Sequence, residues 1–483
     1  MSTDSGLRRL ALHTLLAAFP GHSAPDWALE LLAEGLAGHT LFGTNVADPG
    51  QLAALTTRLR SARPDALIAI DEEGGDVTRL GHRTGSAYPG NAALGAVDDP
   101  ELTRLVYAAI GADLAAAGVN LNLAPTVDVN TADDNPIIGT RSFGADPALV
   151  ARHAGAAITG LESTGVAACA KHFPGHGATV TDSHLELPTV DVPLATLHAR
   201  DLPPFAAAVA AGAQAVMSAH IRVPALTGDL PATFSRAALT DLLRGEYGFR
   251  GVIVTDALEM RGAAGTAGSI PRAAVAALAA GADLLCIGAD VNRALVEAVA
   301  TEIVAAVGDG RLPLARLEGA VARTAALAAW SSRPRPATDR DGDLGVAAAR
   351  RAVTVEGTPA DLRSPLVVQL EAGFSIAEGR VPWGLKPHLN GTEQIEVVAG
   401  STTPQALADR AGDRPIVVVG RRIHSSPAGR ALVGELAATR PVGVVEMGWP
   451  SDWRPEGARA FIVTHGASLA NGRAAAEALG LAR

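Results

Sequence analysis

The chain has 483 residues, 48% of them hydrophobic and only 4% aromatic, which is enough for two domains with aliphatic cores and too apolar for disorder over most of its length. A formal net charge of -10, with no basic stretch able to neutralise a run of phosphates, argues against nucleic acid as a partner. No run reaches the roughly 18 apolar residues of a membrane helix, so no membrane partner is expected. The two cysteines, Cys169 and Cys286, sit in apolar runs that read as buried strands holding reduced thiols.

In chain order, the stretch "LRRLALHTLLAAFPGHSAP" carries the arginine pair, apolar run and small residues of a signal peptide. However, Asp4 lies in its charged end and His13 interrupts the apolar run, so Thr14 to Phe19 is read as the first strand and the protein as cytoplasmic. Apolar runs follow at 39–43, 66–70, 120–129, 166–173, 213–221, 251–257 and 282–288. Between them lie segments with leucine and alanine at helical spacing, such as "SRAALTDLLRGEYG" and "PRAAVAALAAGA". Strands alternating with helices imply a parallel sheet, and eight such strands close a (β/α)8 TIM-type barrel.

The strands end in ionisable residues: Asp71 and Glu73 after one, then Asp128, Lys171 with His172, His220, and Asp256. In a parallel barrel those ends open on one face, where active sites are assembled. After "VARTAALAAW" the composition turns to proline, arginine and aspartate, an exposed linker over 331–344 between a barrel at 1–330 and a smaller α/β sandwich domain at 345–483. The strand-like runs of that second domain are "PLVVQLE", "IEVVAG", "PIVVVGR", "VGVVEMGW" and "AFIVTHG".

One loop concentrates chemistry. "KHFPGHGATVTDSH", Lys171 to His184, holds three of the 13 histidines. As metal ligands they would be spaced H-x3-H-x7-H with Asp182 as a fourth, but Pro174 and Gly175 break the helix on which zinc pairs usually sit, so no metal and no cofactor is expected. Asp182 and His184, one residue apart, point the same way in an extended segment. The carboxylate can then orient the imidazole and raise its pKa, which suits a group that gives a proton and later takes one back. An Asx-type turn with a solvent histidine is the plainer alternative. Asp256, at the end of "GVIVTDALEM", is placed either to project into a barrel mouth or to cap a following helix.

The pattern K-H-[FI]-P-G-[HL]-G-x4-D-[ST]-H is met by that loop. With "DEEGG" (71 to 75), "NLNLAPTVDVN" (120 to 130), "NPIIGTRSFGADP" (135 to 147), "MSAHI" (217 to 221) and "GFRGVIVTDALEM" (248 to 260), the chain closely resembles the glycoside hydrolase family 3 β-N-acetylglucosaminidases, in their two-domain form. The resemblance implies a retaining glycosidase with Asp256 as nucleophile, His184 oriented by Asp182 as acid/base, and Asp71, Arg79, Arg141, Lys171 and His172 around a terminal N-acetylglucosamine. His176 is left to shape the loop. The substrate implied is a small glycan or muropeptide-type molecule, with phosphate as an alternative acceptor to water; a non-catalytic sugar-binding barrel is the alternative of another class. The family's D-Q-E-G-G-R is altered here, with Glu72 for the glutamine and Asp76 for the arginine, a reversed charge that puts the aglycone preference in question.

Overall fold

A computed structural model describes residues 2–183, 186–333, 335 and 342–482. The first sheet holds β1 (Leu15–Ala17), β2 (Gly38–Leu41), β3 (Leu67–Ile70), β4 (Leu121–Asn122), β5 (Ala167–Phe173), β6 (Ala215–Ser218), β7 (Val252–Thr255) and β8 (Leu285–Cys286). All neighbours are parallel, in the order β7-β6-β5-β4-β3-β2-β1-β8. A parallel bridge from Val254 to Leu284 joins the two ends, so the sheet closes into a barrel. The expected eight strands are all present, and the segment weighed against a signal peptide folds as the helix Ser2–Leu12 followed by β1.

Alternation along the strands fills the barrel. Leu67 and Ala69, Leu121 and Leu123, Ala167 and Cys169, Ala215 and Met217, Val252 and Val254, and Leu284 and Cys286 belong to one buried cluster with Leu16 and Ala37. Spacing by two sends these side chains to one face of the sheet, the interior. Leu327, Ala328 and Trp330, from the helix Leu314–Ser331, pack against the same cluster. The outer helices start where the sequence supplies caps: Asp48, Asp146, Ser269 and Asn292 each accept a hydrogen bond from the first turn that follows.

Asp283, at the entry to β8, is fully buried and gathers Arg244, Arg316 at 2.7 Å and Arg323 at 3.4 Å, while accepting the Ile253 amide at 3.0 Å. No described helix is long and apolar enough to cross a membrane.

The second sheet runs β11 (Gln394–Val397), β10 (Leu366–Leu370), β12 (Ile416–Gly420), β13 (Val442–Glu446), β14 (Ala460–Val463) and β9 (Thr354–Gly357). The first five are parallel and match the runs picked from the sequence; β9, which the sequence did not flag, pairs antiparallel with β14. Val368, Val418 and Val444 bury one face with Leu432 and Leu436, and Val367, Val417 and Val445 bury the other with Ala475 and Leu479. Helices therefore cover both faces, which is the sandwich expected of parallel strands.

Compact units do not follow the chain contiguously. Glu73–Leu102 and Gly139–Gly144 pack with the C-terminal residues in the second unit, so that unit and the stretch 345–483 are different sets of residues. The reason is specific contact: Arg79 donates to the carbonyls of Ala377 and Glu378, and Gly345 approaches the Ala87 carbonyl so closely that a Cβ there would lie 2.0 Å away. Residues 334 and 336–341 of the linker expected at 331–344 lie outside the described residues.

Replacing Asp283 with alanine would strand Arg244 and Arg316 without their carboxylate, and breaking a buried pair in this way costs about 3–5 kcal/mol. Urea unfolding should show a loss of that order in Asp283→Ala.

Candidate active site

Parallel strands place the ionisable residues at one end of the barrel. Asp71 follows β3, Lys171 and His172 lie near the end of β5, His220 follows β6, and Asp256 follows β7. Lys171 is 2% exposed and its Nζ lies 2.8 Å from Asp71 Oδ1. Burial raises the pKa of both interior thiols, Cys169 and Cys286; the charges of Asp71 and Asp256 add to the rise at both, and Lys171 opposes it at Cys169. Both cysteines are free and buried, as expected.

Asp128 organises the β5 loop. Its side chain has no exposure; Oδ2 accepts from His172 Nδ1 at 2.7 Å, and Oδ1 accepts the amides of His172 at 3.2 Å and His176 at 2.6 Å. Burial alone would raise its pKa, but the His172 ring, by charge and hydrogen bond, and then His176 outweigh burial and hold the carboxyl below its usual range. The bond at Nδ1 fixes the orientation of the His172 ring.

His176 is buried, with Nδ1 at 2.7 Å from Thr179 Oγ1 and Nε2 at 3.1 Å from Ser183 Oγ. Burial first, then the neighbouring His172, push its pKa down to about 4. A neutral ring with one N–H and one lone pair can tie two hydroxyls at once, and here it ties both ends of the turn that leads to residue 184. Gly175 enters that turn at φ +126°, where a Cβ would meet Asp201 Cβ at 2.7 Å, so glycine is required on both counts.

The acid/base residue expected at His184 lies outside the described residues. Its expected partner Asp182 is half-buried, and the Asp182 carbonyl accepts the Glu186 amide at 3.1 Å. Ser183, next in the chain, accepts on its carbonyl from the Gly262 amide at 3.3 Å. That contact joins the β5 loop to the loop after β7.

Asp256 is pinned through its backbone. Its amide donates to Ser218 O at 3.2 Å, and its Oδ1 accepts the Ala257 amide at 2.8 Å. The Ala257 carbonyl lies 3.1 Å from His220 Nε2, whose Nδ1 lies 2.8 Å from Thr233 Oγ1. The next helical stretch begins only at Arg261, with Met260 at its cap position, so Asp256 is not a helix cap. The sequence pointed to His220 as a strand-end residue; its hold on the Asp256–Ala257 turn is visible only in three dimensions.

Arg79 and Arg141 belong to the second unit, whereas Asp71, Lys171, His172, Asp182 and Asp256 belong to the barrel unit. Arg141 is buried and donates from Nε and Nη2 to the two carboxylate oxygens of Glu73, at 2.9 and 2.8 Å. Both departures from the family motif have a place. Glu72 exchanges backbone hydrogen bonds with the Asn122 side chain at 3.0 and 2.8 Å. Asp76 accepts from Thr140 Oγ1 at 2.6 Å, Arg421 Nη2 at 3.1 Å and the Ala467 amide at 2.8 Å. The reversed charge at position 76 is thus answered by an arginine 345 positions away, a pairing with no local signature in the sequence.

A family model described as the glycosyl hydrolase family 3 N terminal domain matches residues 16–327. The chain is 40% identical over 249 residues to a beta-hexosaminidase A of Pseudoalteromonas piscicida, a match covering 47% of this chain and 42% of that one, so less than half of that longer relative is spanned. It is 41% identical over 280 residues to a beta-hexosaminidase of Xylella fastidiosa, covering 56% of this chain and 81% of that one. Among solved structures, a glycoside hydrolase family 3 beta-N-acetylglucosaminidase from a Paenibacillus strain superposes with a TM-score of 0.88 at 33% identity, over 99% of this chain and 97% of that one.

Two outcomes follow from this geometry. The unfolded chain protonates the imidazole of residue 176 below about pH 6.5, whereas the folded chain does so only near 4, so stability falls as the pH drops through that window, by up to about 3 kcal/mol from this group. Denaturant unfolding across that range should show a shallower slope, by about one proton, in His176→Gln than in the wild type. In Gly262→Ala a Cβ would lie 2.9 Å from His220 Cβ and 3.3 Å from the Ser183 carbonyl, forcing the two loops apart. Overpacking costs roughly 1–3 kcal/mol, and a displacement of the site should lower kcat by about tenfold or more, read by steady-state kinetics on a folded variant.

Proposed function

Since the chain belongs to glycosyl hydrolase family 3, we propose that it is a retaining glycosidase that releases terminal β-linked N-acetylglucosamine from small glycans or muropeptide-type molecules. The observation that carries this is the place of Asp256: first residue after β7, its turn held by Ser218 and His220, at the same end of the parallel barrel as the Asp71–Lys171 pair. Names of the relatives support the sugar class.

In this mechanism the Asp256 carboxylate attacks the anomeric carbon while His184, protonated and oriented by Asp182, gives its proton to the departing oxygen. A covalent glycosyl-enzyme forms and the aglycone leaves. The neutral His184 then takes a proton from water, which attacks the same carbon and releases Asp256, so two inversions give net retention. Asp71, Lys171 and His172 bind hydroxyl or acetamido groups of the sugar.

Turnover of p-nitrophenyl N-acetyl-β-glucosaminide, far above that of the plain β-glucoside, is the first expected result. A 2-deoxy-2-fluoro glycoside with a good leaving group should label the peptide containing "VIVTDALEM", and Asp256→Ala should lose labelling and turnover together. Azide should then restore turnover in Asp256→Ala as a glycosyl azide of inverted configuration. Labelling at another peptide would remove Asp256 from the nucleophile role. His184→Ala should slow substrates with poor leaving groups at least about a hundredfold, and activated aryl glycosides much less, since general acid catalysis is worth about 10²–10⁴.

A further inference from the structure

Where the barrel helices Leu194–Arg200 and Pro203–Ala210 meet, Asp201 is buried without exposure. It packs at the end of β5. Phe205 meets Phe173 edge to face with ring centres 5.2 Å apart, and the Asp201 side chain backs Gly175, where a Cβ would come within 2.7 Å of Asp201 Cβ and 3.4 Å of Oδ1. The turn so backed is the one that carries His172. Gly175 closes it by donating its amide to the His172 carbonyl at 2.8 Å, and Asp128 holds its two flanks through the amides of His172 and His176.

Asp201 is a carboxylate in a place that disfavours one. Arg200 clasps it, with Nε at 3.2 and 3.1 Å from the two oxygens and Nη2 at 2.9 Å from Oδ2, and among the described residues no other donor reaches them. Burial prevails over the clasp. It pushes the pKa up to about 6, against the bonds and charge of Arg200, and the charge of Asp128 adds to the rise. The remaining ionisable groups on the packed elements have partners elsewhere. Helix 203–210 has none, helix 194–200 has His198, 3.7 Å from Glu246, and β5 with its turn brings Lys171, paired with Asp71, and His172 and His176, both bonded to Asp128. Above about pH 6 an ionised Asp201 weakens the fold relative to an amide of the same shape, so packing alone does not call for an acid here.

We propose that Asp201 is a positioning residue of the reaction: its ionised side chain, locked by Arg200, backs Gly175 and so fixes the turn from which His172 reaches the sugar. This rests on the glycosidase function proposed above, in which His172 binds the substrate. When Asp201 takes up a proton the guanidinium loses its charged partner, the side chain is no longer held in one rotamer, and the turn loses its backing. Substrate binding then weakens as the medium becomes more acidic.

The test is the pH dependence of kcat/KM on p-nitrophenyl N-acetyl-β-glucosaminide in wild type, Asp201→Asn and Arg200→Gln. Wild type should show a one-proton fall with its midpoint at about 6, and Asp201→Asn should lack that step. The amide keeps the shape without the charge, so at about pH 7.5 its kcat/KM should lie about five- to tenfold below wild type, mostly through KM. Arg200→Gln should move the step up by at least about one pH unit, the effect an adjacent arginine has on a carboxylate. Urea unfolding separates position from packing. The folded chain raises this pKa from 3.8 to about 6, so Asp201→Asn should have a higher urea midpoint than wild type above that range, the gap closing as the pH falls through it. No step in wild type, a persisting step in Asp201→Asn, or an unmoved one in Arg200→Gln overturns the proposal, and Arg200→Gln alone decides if Asp201→Asn does not fold. A urea midpoint in Asp201→Asn at or below that of wild type at neutral pH makes the acid a requirement of the fold and overturns it too. If wild type hydrolyses no such glycoside, the proposed function fails, and the turn is read instead from the imidazole NMR signal of His172, identified by its loss in His172→Gln. A step in that signal at about pH 6 that Asp201→Asn removes supports the positioning role, and a signal indifferent to Asp201→Asn overturns it.

Discussion

The Asp128 carboxylate, sealed from solvent, is the constraint on which the rest of the β5 loop depends. A buried negative charge is tolerated only where hydrogen bonds and opposite charge surround it, and Asp128 has two amides and an imidazole. Each of those partners is thereby fixed: the ring of His172 in orientation, the backbone of His176 in position. His176, sitting edge-on to His172 with ring centres 5.9 Å apart, passes the order on to Thr179 and Ser183. One acid thus orders residues from 172 to 183, none of which lies in a regular element beyond Phe173.

A second constraint runs through residues 71 to 79. Asp71 faces Lys171 in the barrel unit, while Glu73, Asp76 and Arg79 bind Arg141, Arg421 and the carbonyls of Ala377 and Glu378 in the other unit. Nine consecutive residues therefore carry bonds belonging to both units. Burial works against the charge of Arg421, but Asp76 and Glu378 outweigh it and hold the guanidinium firmly protonated. The ion pairs here are enclosed and hydrogen-bonded, the setting in which removing one member is most damaging.

Much of this was legible in the sequence, for definite reasons. Barrel strands are apolar runs bounded by turn residues, and parallel strands need no polar face, so even β4 and β8, each only two residues in register, stood out inside longer runs. Strand β9 did not, because "TVEG" is wholly exposed on a sheet edge and carries no apolar pattern. The positions of Asp71, Lys171, His172 and Asp256 at strand ends were readable because a parallel barrel puts all such ends on one face. What could not be read were bonds to backbone groups, such as Asp128 to the His176 amide or His220 to the Ala257 carbonyl, since an amide or carbonyl has no letter in the sequence. The assignment of Glu73–Leu102 to the second unit escaped for a related reason: it depends on partners hundreds of positions away.

The barrel interior has one further consequence. Its two thiols, Cys169 and Cys286, are buried and held in the protonated form by desolvation and by the charges of Asp71 and Asp256, and the thiolate is the form that reacts. With no other cysteine in the chain, alkylating probes should leave the native molecule unlabelled. A cysteine introduced at an exposed loop position such as 374 would be the sole reactive handle, so a fluorophore or spin label could report on that loop without first rebuilding the core.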